Sequence, residues 1–250
     1  MNNQSTSLRF LSGNTLKLIA AACMLIDHIG FLFFPFDMVW RAIGRLAFPI
    51  FAFMIAEGCR YTKNKIKHFF LLFALAVICQ LVYYFVDGSL YMSVLVTFFL
   101  STLLIYALQA AQSALIKKQY LFGTLFALLF AGLITGTYFL NRYVEIDGGF
   151  WGCLLPVFPA LVDFKQIPAL AKRKTLEFYL RILAWVIGLI PFTIFLTNII
   201  SVQWCCLFAI PLLCCYSGDR GKYKLKYFFY IFYPTHLALL YGIYMLTLIL

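Results

Sequence analysis

Ionisable side chains stand inside apolar runs of this sequence: Asp27 and His28 side by side, Arg41 and Arg45 one helical turn apart, Glu57 at the end of the same run, and His236 far downstream. Holding such a group at the centre of a bilayer costs at least about 2.5–3.5 kcal/mol, so those that persist usually face a bundle interior or a wet cavity. Histidine takes and returns a proton near neutral pH, which suits it to general-base work. Two arginines at i,i+4 share one helix face and can neutralise phosphates or a developing oxyanion, with Asp27 or Asp37 available as counter-ion. Each group also has a quieter reading. The histidines can be hydrogen bonders that fix helix packing, Arg41 can snorkel to the interface, and Glu57 can pair with Arg60 on the next turn. His68, in a basic loop, reads as a solvated topology residue.

The elements that must carry these residues follow from composition. Of 250 residues, 64% are hydrophobic and 12% charged, far from the roughly 45–50% apolar and 25% charged of a soluble domain. Apolar runs of membrane-spanning length recur and lack the period-2 alternation of barrel strands. The expectation is an all-α, polytopic integral membrane protein of about nine transmembrane helices. Expected spans are Leu16 to Phe34, Trp40 to Cys59, Phe69 to Val86, Tyr91 to Gln112, Tyr120 to Asn141, Gly149 to Val162, Phe178 to Asn198, Val202 to Tyr216 and Tyr227 to Leu250. The sixth holds Pro156 and Pro159 and should be kinked or broken. No repeat, low-complexity tract or soluble domain is visible, so residues 1–250 read as a single transmembrane domain.

The formal charge of +11 does not imply a nucleic-acid partner, because the cations gather in alternate loops as topology signals do. Arg60, Lys63, Lys65 and Lys67 form one cluster, Lys117 and Lys118 another, Lys165, Lys172, Arg173 and Lys174 a third, and Arg220, Lys222, Lys224 and Lys226 a fourth. The intervening loops hold Asp37, Asp87, Glu145 and Asp147. The N-terminus is therefore expected in the cytoplasm and the C-terminus outside, with no cleaved leader. Eight cysteines lie in or beside apolar segments without metal-ligand spacing, so no metal site is expected.

With the basic ends placed in the cytoplasm, His28 lies roughly 18 Å deep and His236 roughly 14 Å deep at about 1.5 Å per residue. The two can meet within the membrane. Val144 to Pro159 collects small and polar residues that suit a broken or re-entrant helix lining a cavity. There Asp147 either binds an acceptor or caps the following helix, and Trp151, with Tyr233 of the last span, is assigned to substrate binding.

At these residues the sequence resembles the TraX family, known for the F-pilin acetylase of conjugative plasmids. The resemblance rests on LKLIAAACMLIDHIGFLFFP from Leu16, RAIGRLAFPIFAFMIAEG from Arg41 and KYFFYIFYPTHLALLY from Lys226, in order along the chain. A weaker stretch, DGGFWGCLL from Asp147, has Gly148 where the family pattern usually has an aromatic residue. The resemblance implies an acyltransferase in the bacterial cytoplasmic membrane that takes an acetyl group from cytosolic acetyl-CoA. It passes the group to a protein or glycan acceptor reached from the other face. Matched residue by residue, His28, Arg45, Glu57 and His236 carry the family's motifs. His28 or His236 would be the base, Asp27 would orient a histidine, and Arg45 would steady the oxyanion or the pantetheine arm. Arg41, Arg45, Glu57, Lys222 and Lys226 would hold the coenzyme. Two other classes remain open: a proton-coupled permease, which predicts inverted repeats, and a non-catalytic assembly factor for a conjugation or secretion apparatus.

Overall fold

A computed structural model describes residues 9–88, 91–164, 167, 170–196, 201–223 and 225–249, and these are all-helical, with two isolated β-bridges and no strand among them. The helices are α1 (Gly13–Phe33), α2 (Met38–Gly44), α3 (Ala47–Tyr61), α4 (Lys65–Asp87), α5 (Val94–Ile116), α6 (Tyr120–Tyr143), α7 (Gly149–Leu154), α8 (Val157–Ala160), α9 (Lys174–Leu196), a 3-10 helix (Val202–Phe208), α10 (Ala209–Cys214) and α11 (Lys226–Ile249). Among the described residues, 7 helical segments are long and apolar enough to cross a membrane, with α2 and α3 together forming one of them. This is a multi-pass membrane protein. Two of the expected spans are shorter: Gly149–Ala160, broken into α7 and α8 at Pro156, and Val202–Cys214, whose first half is 3-10 helix.

The chain divides into two compact units, one built from Met1–Met54 and Thr197–Leu250, the other from Ile55–Leu196. In the first unit α1 packs on α2 and α11, and the 3-10 helix packs on α2. The start of α1 is tied down by backbone. The Gly13 and Asn14 N–H groups donate to the Asp219 and Arg220 carbonyls at 2.8 and 2.9 Å, and the Ser12 hydroxyl accepts from the Thr15 N–H. Those are the donors that a helix N-terminus leaves without partners. Span two is interrupted between α2 and α3 at Arg45 and Leu46. Pro49 explains the interruption, because it has no N–H to return to the Arg45 carbonyl.

In the second unit α5 is the central post, packing on α4, α6, α7 and α8. Its Thr97 hydroxyl donates to the Asp147 carbonyl at 2.6 Å, Ser101 to the Cys153 carbonyl at 2.8 Å, and the Gln112 amide to the Leu161 carbonyl at 3.2 Å. Thr97 and Gln112 are separated by about 22 Å of helix rise. The short α7–α8 segment therefore runs parallel to α5 over most of its length. The hydroxyl and amide bonds satisfy carbonyls that the broken helix cannot satisfy itself. Gly188 of α9 lies against the Phe158 ring, where a Cβ would come within 2.5 Å of a ring carbon.

Candidate functional site

Asp27 and His28 occupy α1, Arg41 lies on α2, Arg45 closes α2, and His236 sits on α11, so the first unit brings together the first-span, second-span and last-span residues expected to act together. Arg41 Nη1 donates to Asp27 Oδ2 at 2.8 Å, and Arg45 Nη2 stands 3.9 Å from Asp27 Oδ1. The i,i+4 arginines converge on one carboxylate because α2 approaches α1 closely at Gly44. A Cβ there would fall 2.2 Å from Asp27. One turn along, Gly30 admits Trp40 in the same way, with 2.1 Å to the Trp40 Cβ. Asp37, the other proposed counter-ion, instead caps α2 by accepting from the Val39 N–H and also accepts from the Trp40 indole. The Asp27, Arg41 and Arg45 side chains keep 19, 28 and 29% of their surface exposed, so the ion pair is not sealed.

The histidines are paired. His236 Nε2 lies 3.4 Å from His28 Nδ1, and the ring centroids are 5.1 Å apart at 61°. His28 Nδ1 also meets the Met24 carbonyl at 2.9 Å, and His236 Nδ1 meets the Phe232 carbonyl at 2.8 Å. A carbonyl only accepts, so Nδ1 carries the proton in both neutral rings and Nε2 is the basic nitrogen. The His236 lone pair is directed at the His28 N–H, leaving His28 Nε2 as the basic nitrogen not engaged within the pair. His236 is 5% exposed and held by Phe232, stacked at 4.7 Å, and by Tyr233, edge-on at 5.4 Å. Tyr233 thus packs against the pair. Asp27 turns to the arginines, so the orienting of His28 expected from Asp27 is done by the Met24 carbonyl and His236. The cause is helical geometry: adjacent residues point about 100° apart.

In the second unit Glu57 is buried and ion-paired with Arg181 of α9, while Arg60 hydrogen bonds to Glu177 and stands 3.8 Å from Asp163. Arg181 and Glu177 are 2 and 4% exposed, and sequence reading missed them. Their i,i+4 spacing within an apolar helix was the available signal. Asp147 does not cap α7, whose N-cap is Gly148 at φ 75°. Its carboxylate takes a hydrogen bond from Tyr91, and burial together with that carboxylate pushes the Tyr91 hydroxyl pKa up. Trp151 stacks on Phe195 at 5.4 Å. Lys222 is exposed, and the Lys226 side chain lies outside the described residues. His68 is not in a loop: it lies on α4, where its Nδ1 is 2.7 Å from the Tyr106 hydroxyl.

A membrane bundle with a paired-histidine and arginine–aspartate site in one unit is the class of protein these observations define. The chain belongs to the TraX family: the family described as "TraX protein" matches residues 12–244. It is also similar to the probable fimbrial assembly protein FimC, serogroup H1, of Dichelobacter nodosus, 29% identical over 240 residues that cover 90% of this chain and 92% of that protein. No solved structure matches.

Proposed function

We propose that this chain is a membrane-embedded acetyltransferase that moves an acetyl group from cytosolic acetyl-CoA to an amine or hydroxyl on a protein or glycan of the cell envelope. The observation that carries this reading is the His28–His236 pair, which leaves one imidazole nitrogen basic beside a doubly attended carboxylate. His28 Nε2 takes the proton of the acceptor as its nitrogen or oxygen bonds to the thioester carbon. The oxyanion then forming is met by Arg45, whose contact to Asp27 is the looser of the two. The imidazolium charge is shared with His236 Nε2 through the His28 Nδ1–H. On collapse the C–S bond breaks and the proton passes from His28 to the departing thiolate, giving acetylated acceptor and free coenzyme. Proximity contributes much of the acceleration when donor and acceptor share one dry passage.

The wider setting follows the same reading. The relative's name is that of a fimbrial assembly protein, so the acceptor is a subunit of a surface fibre or a glycan near it, and the membrane is the bacterial cytoplasmic membrane. The two short apolar segments complete nine crossings, with the N-terminus in the cytoplasm and the C-terminus outside. In that topology Lys222 of the first unit lies on the cytoplasmic side, where its charge would draw in the coenzyme's phosphates.

The test is to give purified, folded protein acetyl-CoA labelled in the acetyl group and to follow thioester cleavage and label transfer to envelope proteins. Protein-dependent transfer supports the reading. Folded protein that neither binds coenzyme nor turns it over overturns it and leaves the assembly-factor role that the relative's name describes.

A further inference from the structure

In the second unit a groove of about 330 Å³ opens between the end of α5, residues 161–164 with Ile167, and the first half of α9. Gln112, Ile116, Leu161, Leu180, Leu183 and Ile187 form much of its wall. Leu183 and Ile187 are 54 and 51% exposed. Lys117 and Lys118 follow directly after Ile116 at one end, and Arg173 and Lys174 precede Leu180 on α9. All four of these cations are exposed. From Lys174 to Ile187 the helix rises about 20 Å, a little more than the roughly 15 Å hydrocarbon depth of one leaflet.

We infer that this groove is a binding site for an anionic phospholipid of the surrounding membrane, one acyl chain lying along α9 and the headgroup held by Lys117, Lys118, Arg173 and Lys174. Charge complementarity selects the occupant, because an apolar slot of leaflet depth ending in four cations fits a negatively charged, chain-bearing ligand. Gln112 adds a polar step at the slot's upper end. Its amide nitrogen is committed to the Leu161 carbonyl, while its buried Oε1 has no hydrogen-bond partner among the described residues and can accept from a hydroxylated headgroup. Asp163 also borders the groove, and its carboxylate is turned to account by Arg60 at 3.8 Å. The inference rests on the membrane assignment and not on the acetyltransferase reading.

The experiment is native mass spectrometry of the full chain in mild detergent, titrated with phosphatidylglycerol or with phosphatidylcholine of the same chains. Wild type is expected to retain phosphatidylglycerol in clear preference, since each cation near an anionic headgroup is worth about fivefold. K117Q/K118Q/R173Q/K174Q should erase the preference while still retaining lipid. A184F, which fills the groove, should lose retention of both lipids while keeping the wild-type helical circular dichroism. L128F, on the exposed face of α6, serves as the substitution control and should bind as wild type does. Equal retention of the two lipids by wild type, undiminished retention by A184F, or a dimer that A184F dissociates would each overturn the proposal, the last assigning the groove to a second copy.

Discussion

His236 Nε2 faces His28 Nδ1 across 3.4 Å, joining residues 208 positions apart through helices at the two ends of the chain. The arrangement makes the two imidazoles unequal. His28 leaves its Nε2 outside the pair, whereas His236 Nε2 accepts from the His28 N–H and, in the proposed mechanism, shares the charge that His28 acquires. His28→Ala should lower acetyl transfer by about 10²–10⁴-fold, the range of a lost general base, and His236→Ala by less. Initial rates with labelled acetyl-CoA compare them, and full transfer by the His28 variant would remove the base from the mechanism.

The close approach at Gly44 supports a second prediction. Gly44→Ala puts a methyl 2.2 Å from Asp27, so the carboxylate must leave its arginines. Both transfer and the thermal midpoint in detergent should fall. Gly242→Ala, in α11 of the same unit, meets nothing within 4 Å and should be neutral or gain about 0.5–1 kcal/mol from reduced chain entropy. Equal behaviour of the two variants would contradict the steric account.

The Glu57–Arg181 pair is buried on both sides. Removing one partner leaves an uncompensated charge, at a typical cost of about 3–5 kcal/mol. Arg181→Met should therefore depress the thermal midpoint sharply, and adding Glu57→Gln should recover part of the loss. No recovery in the double variant would mean that the two side chains act independently.

Orientation is open to reporter fusions. A phosphatase active only outside the cytoplasm should be active after Gly88, Asp147 or the C-terminus, and silent after Lys118 or Arg173. Activity after Lys118 would invert the topology proposed.

The membrane class and the meeting of His28, Arg45 and His236 on one unit were legible because charge inside an apolar run is costly and therefore informative. What escaped was partnership. Asp27 beside His28 in sequence invites a catalytic pairing, but the helix turns them apart and the arginines of α2 claim the carboxylate. Placing the start of span seven at Phe178 left Glu177 in a basic loop and hid its spacing with Arg181. His68 was misread because Asn64, whose side chain accepts from the Lys67 N–H, starts α4 earlier than hydropathy alone indicates. The division of span two at Arg45 has a visible cause in Pro49. Nothing in the composition of Val202–Phe208 announces a 3-10 helix.

In the proposed nine-crossing topology, that 3-10 stretch opens one of the membrane-crossing segments. At about 2.0 Å of rise per residue instead of 1.5, it stretches a short segment further. Even so, Val202–Cys214 reaches only about 23 Å, short of the roughly 30 Å of a hydrocarbon core. A bilayer meeting so short a wall must pinch inward or admit headgroups and water at its ends. With that topology the greasy barrier beside this segment would be locally thinner, and anything carried from one face to the other would have less oil to cross.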